Sequence, residues 1–69
     1  MDNKHYITRK ALRARYGGIS EMTLWRWEHD EKLGFPNALE INGRKYYDLS
    51  QIERFERTQA EFAARKRMA

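Results

Sequence analysis

The segment from Gly18 to Trp27 constrains the fold more than any other part of the sequence. Ser20 is a strong N-cap residue, because its hydroxyl can accept a hydrogen bond from an unpaired amide in the first turn of a helix. In a helix that begins there, Leu24 and Trp27 fall on one side, and both are apolar. We therefore predict an amphipathic helix over residues 20–30, with Leu24 and Trp27 facing the core.

The opposite side of this predicted helix is mixed in character. Met22, Arg26 and His29 lie on it, and Thr23 and Trp25 flank them. A guanidinium, a hydroxyl and a thioether near a helix N-terminus are typical of a helix that meets base edges in the major groove of DNA. On these residues alone, an ordinary amphipathic helix with a solvated face is the alternative.

The preceding residues predict a first helix and a tight turn. Thr8 can cap a helix over residues 8–16. Gly17 and Gly18 end it, because glycine readily adopts the left-handed conformation that follows many helices. Two short helices joined by a glycine-containing turn form a helix-turn-helix layout.

Basic residues concentrate around the first predicted helix. The chain has a formal net charge of +4, and residues 3–20 contain five cations and no acid. The cations are Lys4, Arg9, Lys10, Arg13 and Arg15. Such side chains give sequence-independent affinity for DNA by releasing counterions, although they also commonly form a solvated helix face. The charge pattern favours an acidic partner.

Asn42-Gly43 is the strongest hairpin signal in the sequence, since a type I′ turn requires positive φ at both central residues. We predict a hairpin over residues 38–47. Its register pairs Leu39 with Tyr46, Glu40 with Lys45, and Ile41 with Arg44.

This register predicts the two faces of the hairpin. Leu39, Ile41 and Tyr46 share one face, which we expect to pack against the core. Arg44 lies on the same side but at the tip, where its guanidinium can reach a neighbouring groove or phosphate. Arg44 and Lys45 then act as a wing, and the alternative is that they only keep the turn soluble.

A third helix completes the predicted fold. Asp48 or Ser50 can cap a helix over residues 49–66. Its apolar residues at helical spacing include Ile52, Phe55 and Phe62. The first two are expected to seal the core, which Phe35 also enters, and the last extends past so small a body. The sequence thus predicts a mainly α domain with a small β-hairpin, in the order α-turn-α-β-β-α of a winged helix-turn-helix.

Length and composition exclude several other classes. With 69 residues, no cysteine and only two histidines, the chain forms one domain that packed aromatics must stabilise. It offers no nucleophile motif, phosphate loop or metal-ligand spacing, so we expect no enzyme activity, catalytic residue, cofactor or metal. No apolar signal core or membrane span is evident, and we expect a cytoplasmic protein.

The order of these elements resembles the AlpA-type regulators of phages and prophages, an excisionase-like group within the MerR-like winged-helix superfamily. The motifs that carry the resemblance are Tyr6-Ile7-Thr8, Gly18-Ile19-Ser20, Thr23-Leu24-Trp25-Arg26-Trp27, Gly34-Phe35-Pro36, Ile41-Asn42-Gly43-Arg44 and the final helix with Phe55. The resemblance covers nearly the whole chain. It implies a transcription regulator that binds specific duplex DNA in the bacterial cytoplasm and is associated with the nucleoid when bound.

The resemblance also implies which residues contact DNA. They are Ser20, Met22, Thr23 and Arg26 at recognition positions, Trp25 as a backbone-contacting aromatic, and Arg44 with Lys45 in the wing. Beside them, we expect Thr8 and Arg9 at the start of the first helix to contact DNA as well. Glu21 departs from the basic or small residue expected there, which argues against a phosphate contact at that position. The chain shows no effector-binding or long coiled-coil extension, so we expect no small-molecule effector.

Three functions remain open at this point. A transcription regulator would bind near a promoter of the mobile element, whereas an excisionase would self-associate on repeated sites and bend attachment-site DNA. An antirepressor would instead grip another protein through Trp25 and Met22, which are residue types common in binding hot spots. RNA binding is disfavoured, because no basic and aromatic sheet that stacks single-stranded bases is predicted.

Overall fold

A computed structural model describes residues 5–68 of the chain. Its elements are β1 (Tyr6–Thr8), α1 (Arg9–Arg15), α2 (Glu21–His29), β2 (Leu39–Ile41), β3 (Arg44–Asp48) and α3 (Leu49–Met68). Within these residues the fold is mixed α/β, with three helices and a three-stranded antiparallel sheet in the order β1-β3-β2. This arrangement is compatible with a winged helix-turn-helix.

Strand β1 is the element that the sequence did not predict. Its residues were expected only to lead into the first helix, but they pair with β3, with Ile7 opposite Tyr47 and Thr8 opposite Tyr46. A mainly α fold with a two-stranded hairpin was therefore an incomplete prediction. Three residues are too few to show the alternating pattern of a strand, and β1 is defined by its pairing with β3.

The helix boundaries follow the predicted caps. Thr8 Oγ1 and Ser20 Oγ each accept a hydrogen bond of 3.1 Å from the backbone amide three residues later. Gly17 and Gly18 both have a φ of +79°, the left-handed conformation that ends α1 and turns the chain into α2. The two predicted short helices and the glycine turn between them are thus confirmed.

The core is small and lies between the helices and one face of the sheet. Its buried members are Leu12, Leu24, Phe35, Tyr47 and Ile52. Trp27 packs against them at the edge, with its ring centroid 5.4 Å from that of Tyr16 and 6.0 Å from that of Phe35. The predicted inward positions of Leu24, Trp27 and Phe35 are confirmed.

The predicted hairpin register is confirmed, but the predicted inner face is wrong. Leu39 and Ile41 are 45% and 55% exposed, whereas Tyr47, on the other face of β3, is fully buried. The helices cover the face on which Tyr47 pairs with Ile7, so the alternate residues point away from the core. Arg44 is paired with Ile41 and therefore lies on the outer face.

Helix α3 begins as expected and extends beyond the core. Asp48 Oδ1 accepts hydrogen bonds from the amide and the hydroxyl of Ser50, at 3.0 and 2.8 Å. Ile52 is fully buried and Phe55 packs against the core, whereas Phe62 is 66% exposed, as predicted. None of the helices within residues 5–68 combines the length and the apolar character needed to cross a bilayer.

Candidate functional site

The outward side of α2 carries large side chains that the core does not use. Met22 is 57% exposed and Trp25 is 49% exposed, and Arg26 and His29 are also exposed. Trp25 and His29 lie one turn apart, so their rings stack with centroids 4.0 Å apart. Arg26 forms no ion pair within the described part of the chain. The predicted free face is confirmed as an exposed surface.

The two hydroxyls at the start of α2 are already engaged with each other. Ser20 Oγ accepts a hydrogen bond from the Thr23 amide and donates one to Thr23 Oγ1 at 3.0 Å. Ser20 is exposed, and Thr23 is half-buried. These groups stabilise the beginning of the helix, and any contact with a ligand would have to be made alongside that bond.

Arg9 connects the core to the surface. Its Nη1 donates hydrogen bonds to Glu28 Oε1 at 2.8 Å and to the Tyr47 hydroxyl at 2.7 Å, and its Nε donates to Glu21 Oε1. The Tyr47 hydroxyl in turn donates to the other oxygen of Glu28. The Arg9 side chain is only 19% exposed. Arg9 was predicted as a DNA contact, and the structure places it in this internal network.

The network shifts the pKa values of Tyr47, Arg9 and Glu21. Burial raises the pKa of Tyr47, and the hydrogen bond to Glu28 raises it further. Burial would lower the pKa of Arg9, but its bonds to the carboxylates of Glu28 and Glu21 outweigh that effect and raise it. The hydrogen bond from Arg9 lowers the pKa of Glu21. At neutral pH, Arg9 and Glu21 are therefore charged and Tyr47 is neutral.

The expected basic patch on α1 is largely neutralised within the protein. Arg9, Arg13 and Arg15 each form an ion pair with a glutamate of α2 or α3. Lys10 is exposed and has no ion-pair partner among residues 5–68. Lys4 lies outside the described residues. The clustering of cations in the sequence therefore overstates the positive charge that α1 presents to solvent.

Two adjoining open grooves bring together most of the predicted site. The first has a volume of about 410 Å³ and is lined by Thr8, Arg9, Lys10, Glu21, Arg44, Lys45 and Tyr46. The second, of about 360 Å³, is lined by Arg9, Glu21, Met22 and Trp25. Because Arg9 and Glu21 line both grooves, the start of α1, the start of α2 and the hairpin form one continuous surface. Ser20, Thr23 and Arg26 line neither groove.

Glu21 is the site residue that sequence reasoning missed. It stands on the wall shared by the two grooves, and its side chain is 60% exposed. A signal was present, since Glu21 and Glu28 are two helical turns apart and therefore lie on the same side of α2. Paired carboxylates on that side, opposite a helix rich in arginine, indicate ion pairs between the two helices.

Comparisons with known proteins and a search for metal-ligand groups add no further site. Comparisons of the chain with models of known protein families, with curated proteins and with solved structures found no match. Within residues 5–68, no group of three or more His, Asp or Glu side chains is placed to hold a metal ion. The surface formed by α1, α2 and the hairpin remains the candidate functional site.

Proposed function

We propose that this protein is a transcription regulator that binds specific sequences of duplex DNA, as a winged helix-turn-helix. One observation carries the proposal: the exposed side of α2 adjoins a groove that is edged, besides the ion-paired Arg9, by three further cations from two other elements. These cations are Lys10, Arg44 and Lys45, and none of them forms an ion pair among the described residues. Unpaired cations beside an exposed helix can contact the phosphates that border the major groove of DNA when the helix lies in it.

The size and chemistry of α2 fit the major groove. Its nine residues make a helix about 14 Å long at 1.5 Å per residue, and the major groove of B-DNA is about 12 Å wide. Arg26 lies in the middle of the exposed side, and its guanidinium forms no ion pair among residues 5–68. Such a guanidinium binds guanine O6 and N7 in a bidentate manner. Met22 and Trp25 supply apolar contact area beside it.

The β2–β3 hairpin would act as the wing. Its turn holds Asn42 and Gly43 at φ values of +50° and +80°, which places Arg44 and Lys45 directly after the tip. A long guanidinium at such a tip can enter a narrow minor groove, where the negative potential is deepest. Thr8 lines the same groove as these cations and stands near the phosphates in this arrangement. Arg9 contributes by holding Glu21 and the core.

An excisionase needs the same contacts, so only the location of the bound sites separates it from a regulator. A protein-binding antirepressor is a second candidate. It is favoured by the apolar groove that Met22 and Trp25 line, because exposed tryptophan and methionine side chains often anchor protein partners.

Titration of fluorescently labelled duplex DNA of random sequence, at low and at moderate salt, tests the proposal. We expect binding that weakens as salt increases, because phosphate contacts release counterions. Lys10→Ala should weaken it, whereas Arg57→Ala should not. Arg57 is exposed on α3, lines neither of the two grooves and serves as a charge-matched control. Absence of binding at low salt would contradict the proposal and favour the protein-binding alternative.

A further inference from the structure

We infer that Glu21 is a specificity-determining residue that accepts a hydrogen bond from the N4 amino group of a cytosine in the major groove. This role for Glu21 rests on the proposed binding of duplex DNA and adds the chemistry of one base that the surface reads. It reverses the sequence-based expectation, in which Glu21 was the residue that did not fit.

The position of Glu21 supports a contact with bases. It is the first residue of α2, and recognition helices meet base edges with their N-terminal residues. It stands between the apolar groove of Met22 and Trp25 and the groove edged by Lys10, Arg44 and Lys45. A helix seated with those cations against phosphates would therefore bring the Glu21 carboxylate to the floor of the DNA groove.

The Glu21 carboxylate is held in place by two arginines of α1. Arg9 donates from Nε to Glu21 Oε1, and the Nη1 atom of Arg9 is itself anchored by Glu28 and Tyr47. Arg13 Nη1 lies 3.8 Å from the other oxygen, Oε2. An exposed carboxylate anchored in this way loses little side-chain freedom on binding, which is the property that a selective contact requires. Arg9 is accordingly a positioning residue.

The chemistry of a fixed carboxylate selects among the groups that duplex DNA presents. Its oxygens only accept hydrogen bonds when ionised, and the bond from Arg9 keeps Glu21 ionised by lowering its pKa. Phosphates, guanine O6 and N7, and thymine O4 are acceptors or anions and repel it. Adenine offers an amino group but places the acceptor N7 beside it, whereas cytosine offers an amino group with no acceptor on its own major-groove edge. Cytosine is therefore the favoured base.

A merely structural role for the Arg9–Glu21 pair makes a different prediction. A carboxylate that only neutralised Arg9 would affect the binding of every DNA sequence equally. Base preference at a single position is thus the readout that separates the two roles.

Selection of bound sequences from a pool of random duplexes tests this inference. We would compare the parent protein with Glu21→Gln, which keeps the shape and loses the charge. Glu61→Gln, exposed on α3 and outside both grooves, is the charge-matched control. Thermal unfolding followed by circular dichroism checks that all three proteins are folded.

For the parent and Glu61→Gln we expect one motif that contains a strongly preferred cytosine. In Glu21→Gln the preference for cytosine at that position should fall about 10-fold. The preferred base should shift toward adenine, because an amide binds adenine N6 and N7 together. Preference at the other positions should be unchanged, and affinity for random duplex should rise because a negative charge is removed.

An identical motif for the parent and Glu21→Gln would overturn the role of Glu21 while leaving the proposed function intact. A parent protein that enriches no motif would instead overturn sequence-specific binding itself, together with the inference that rests on it.

Discussion

Arg15 on α1 and Glu56 on α3 form a two-point ion pair, with 2.6 Å between Nε and Oε2 and 2.7 Å between Nη2 and Oε1. The hydroxyl of Tyr16 donates a further hydrogen bond to Oε2 at 2.7 Å. The bond from Arg15 is the main reason that the pKa of Glu56 is lowered. These contacts join the first and last helices, which are far apart in the sequence, across the edge of the core.

The protein should lose stability in acid partly through Glu56. A carboxyl whose pKa is lower in the folded state stabilises the fold above its unfolded pKa, and that contribution disappears as pH falls through the folded value. The free energy of unfolding, measured with urea, should therefore decrease as pH falls below about 4.5, the ordinary value for this carboxyl. Glu56→Gln should reduce this decrease. Glu61→Gln should leave it unchanged, and an equal decrease in Glu56→Gln and the parent would contradict the role of the pair.

Leu24 should be essential for folding. It is fully buried in a small core, so Leu24→Ala removes apolar contacts and leaves a cavity. We expect a loss of about 2–5 kcal/mol in the free energy of unfolding, a large fraction of what a small domain has. Met22→Ala on the exposed side of the same helix should change it by less than about 0.5 kcal/mol. A folded Leu24→Ala protein with normal stability would show that α2 faces the core with another side.

The hydroxyl of Tyr47 should stabilise the protein through the internal network. Tyr47→Phe removes the donor to Glu28 Oε2 and one of the acceptors of Arg9 Nη1 in a mostly buried place, and only the bond between Arg9 and Glu28 Oε1 remains there. We expect a loss of about 1–3 kcal/mol in urea unfolding, because groups left without partners pay the cost of desolvation. Tyr46→Phe is the control, since no hydrogen bond of the Tyr46 hydroxyl occurs within residues 5–68. Equal effects of the two substitutions would argue against the network.

Arg44 should contribute one electrostatic contact between the hairpin and DNA. Arg44→Ala is expected to reduce the slope of log affinity against log salt by about 1 and to leave folding intact. The loss should be larger at sites flanked by A·T-rich steps, whose minor groove is narrow. Unchanged affinity and an unchanged salt slope would mean that the hairpin does not dock as a wing, and Arg57→Ala provides the comparison for removal of a cation elsewhere.

Local signals in the sequence predicted the backbone well. The caps at Thr8 and Ser20, the two glycines after α1 and the Asn42-Gly43 turn each act over a few residues, and the structure confirms all of them. The inward position of Leu24 also follows from helical spacing alone. These features depend on short-range chemistry, which a single sequence displays directly.

Features that depend on distant parts of the chain could not be predicted in this way. Strand β1 exists because β3 pairs with it, and that pairing also decides that Tyr47 is buried while Ile41 is exposed. The buried hydroxyl of Tyr47 is tolerated because Arg9 and Glu28 bind it. Alternation along a strand predicts two faces, but only the packing of the whole domain determines which one the helices cover.

Arg26→Ala is the decisive variant for base reading by the exposed side of α2. The affinities of the parent and of Arg26→Ala should be measured on the duplex motif that the parent selects and on random duplex. We expect a loss of about 1–3 kcal/mol in binding free energy on the motif and a much smaller loss on random DNA, because a bidentate contact with guanine exists only at the specific site. Equal losses on both would make Arg26 a phosphate contact and would contradict base reading by α2.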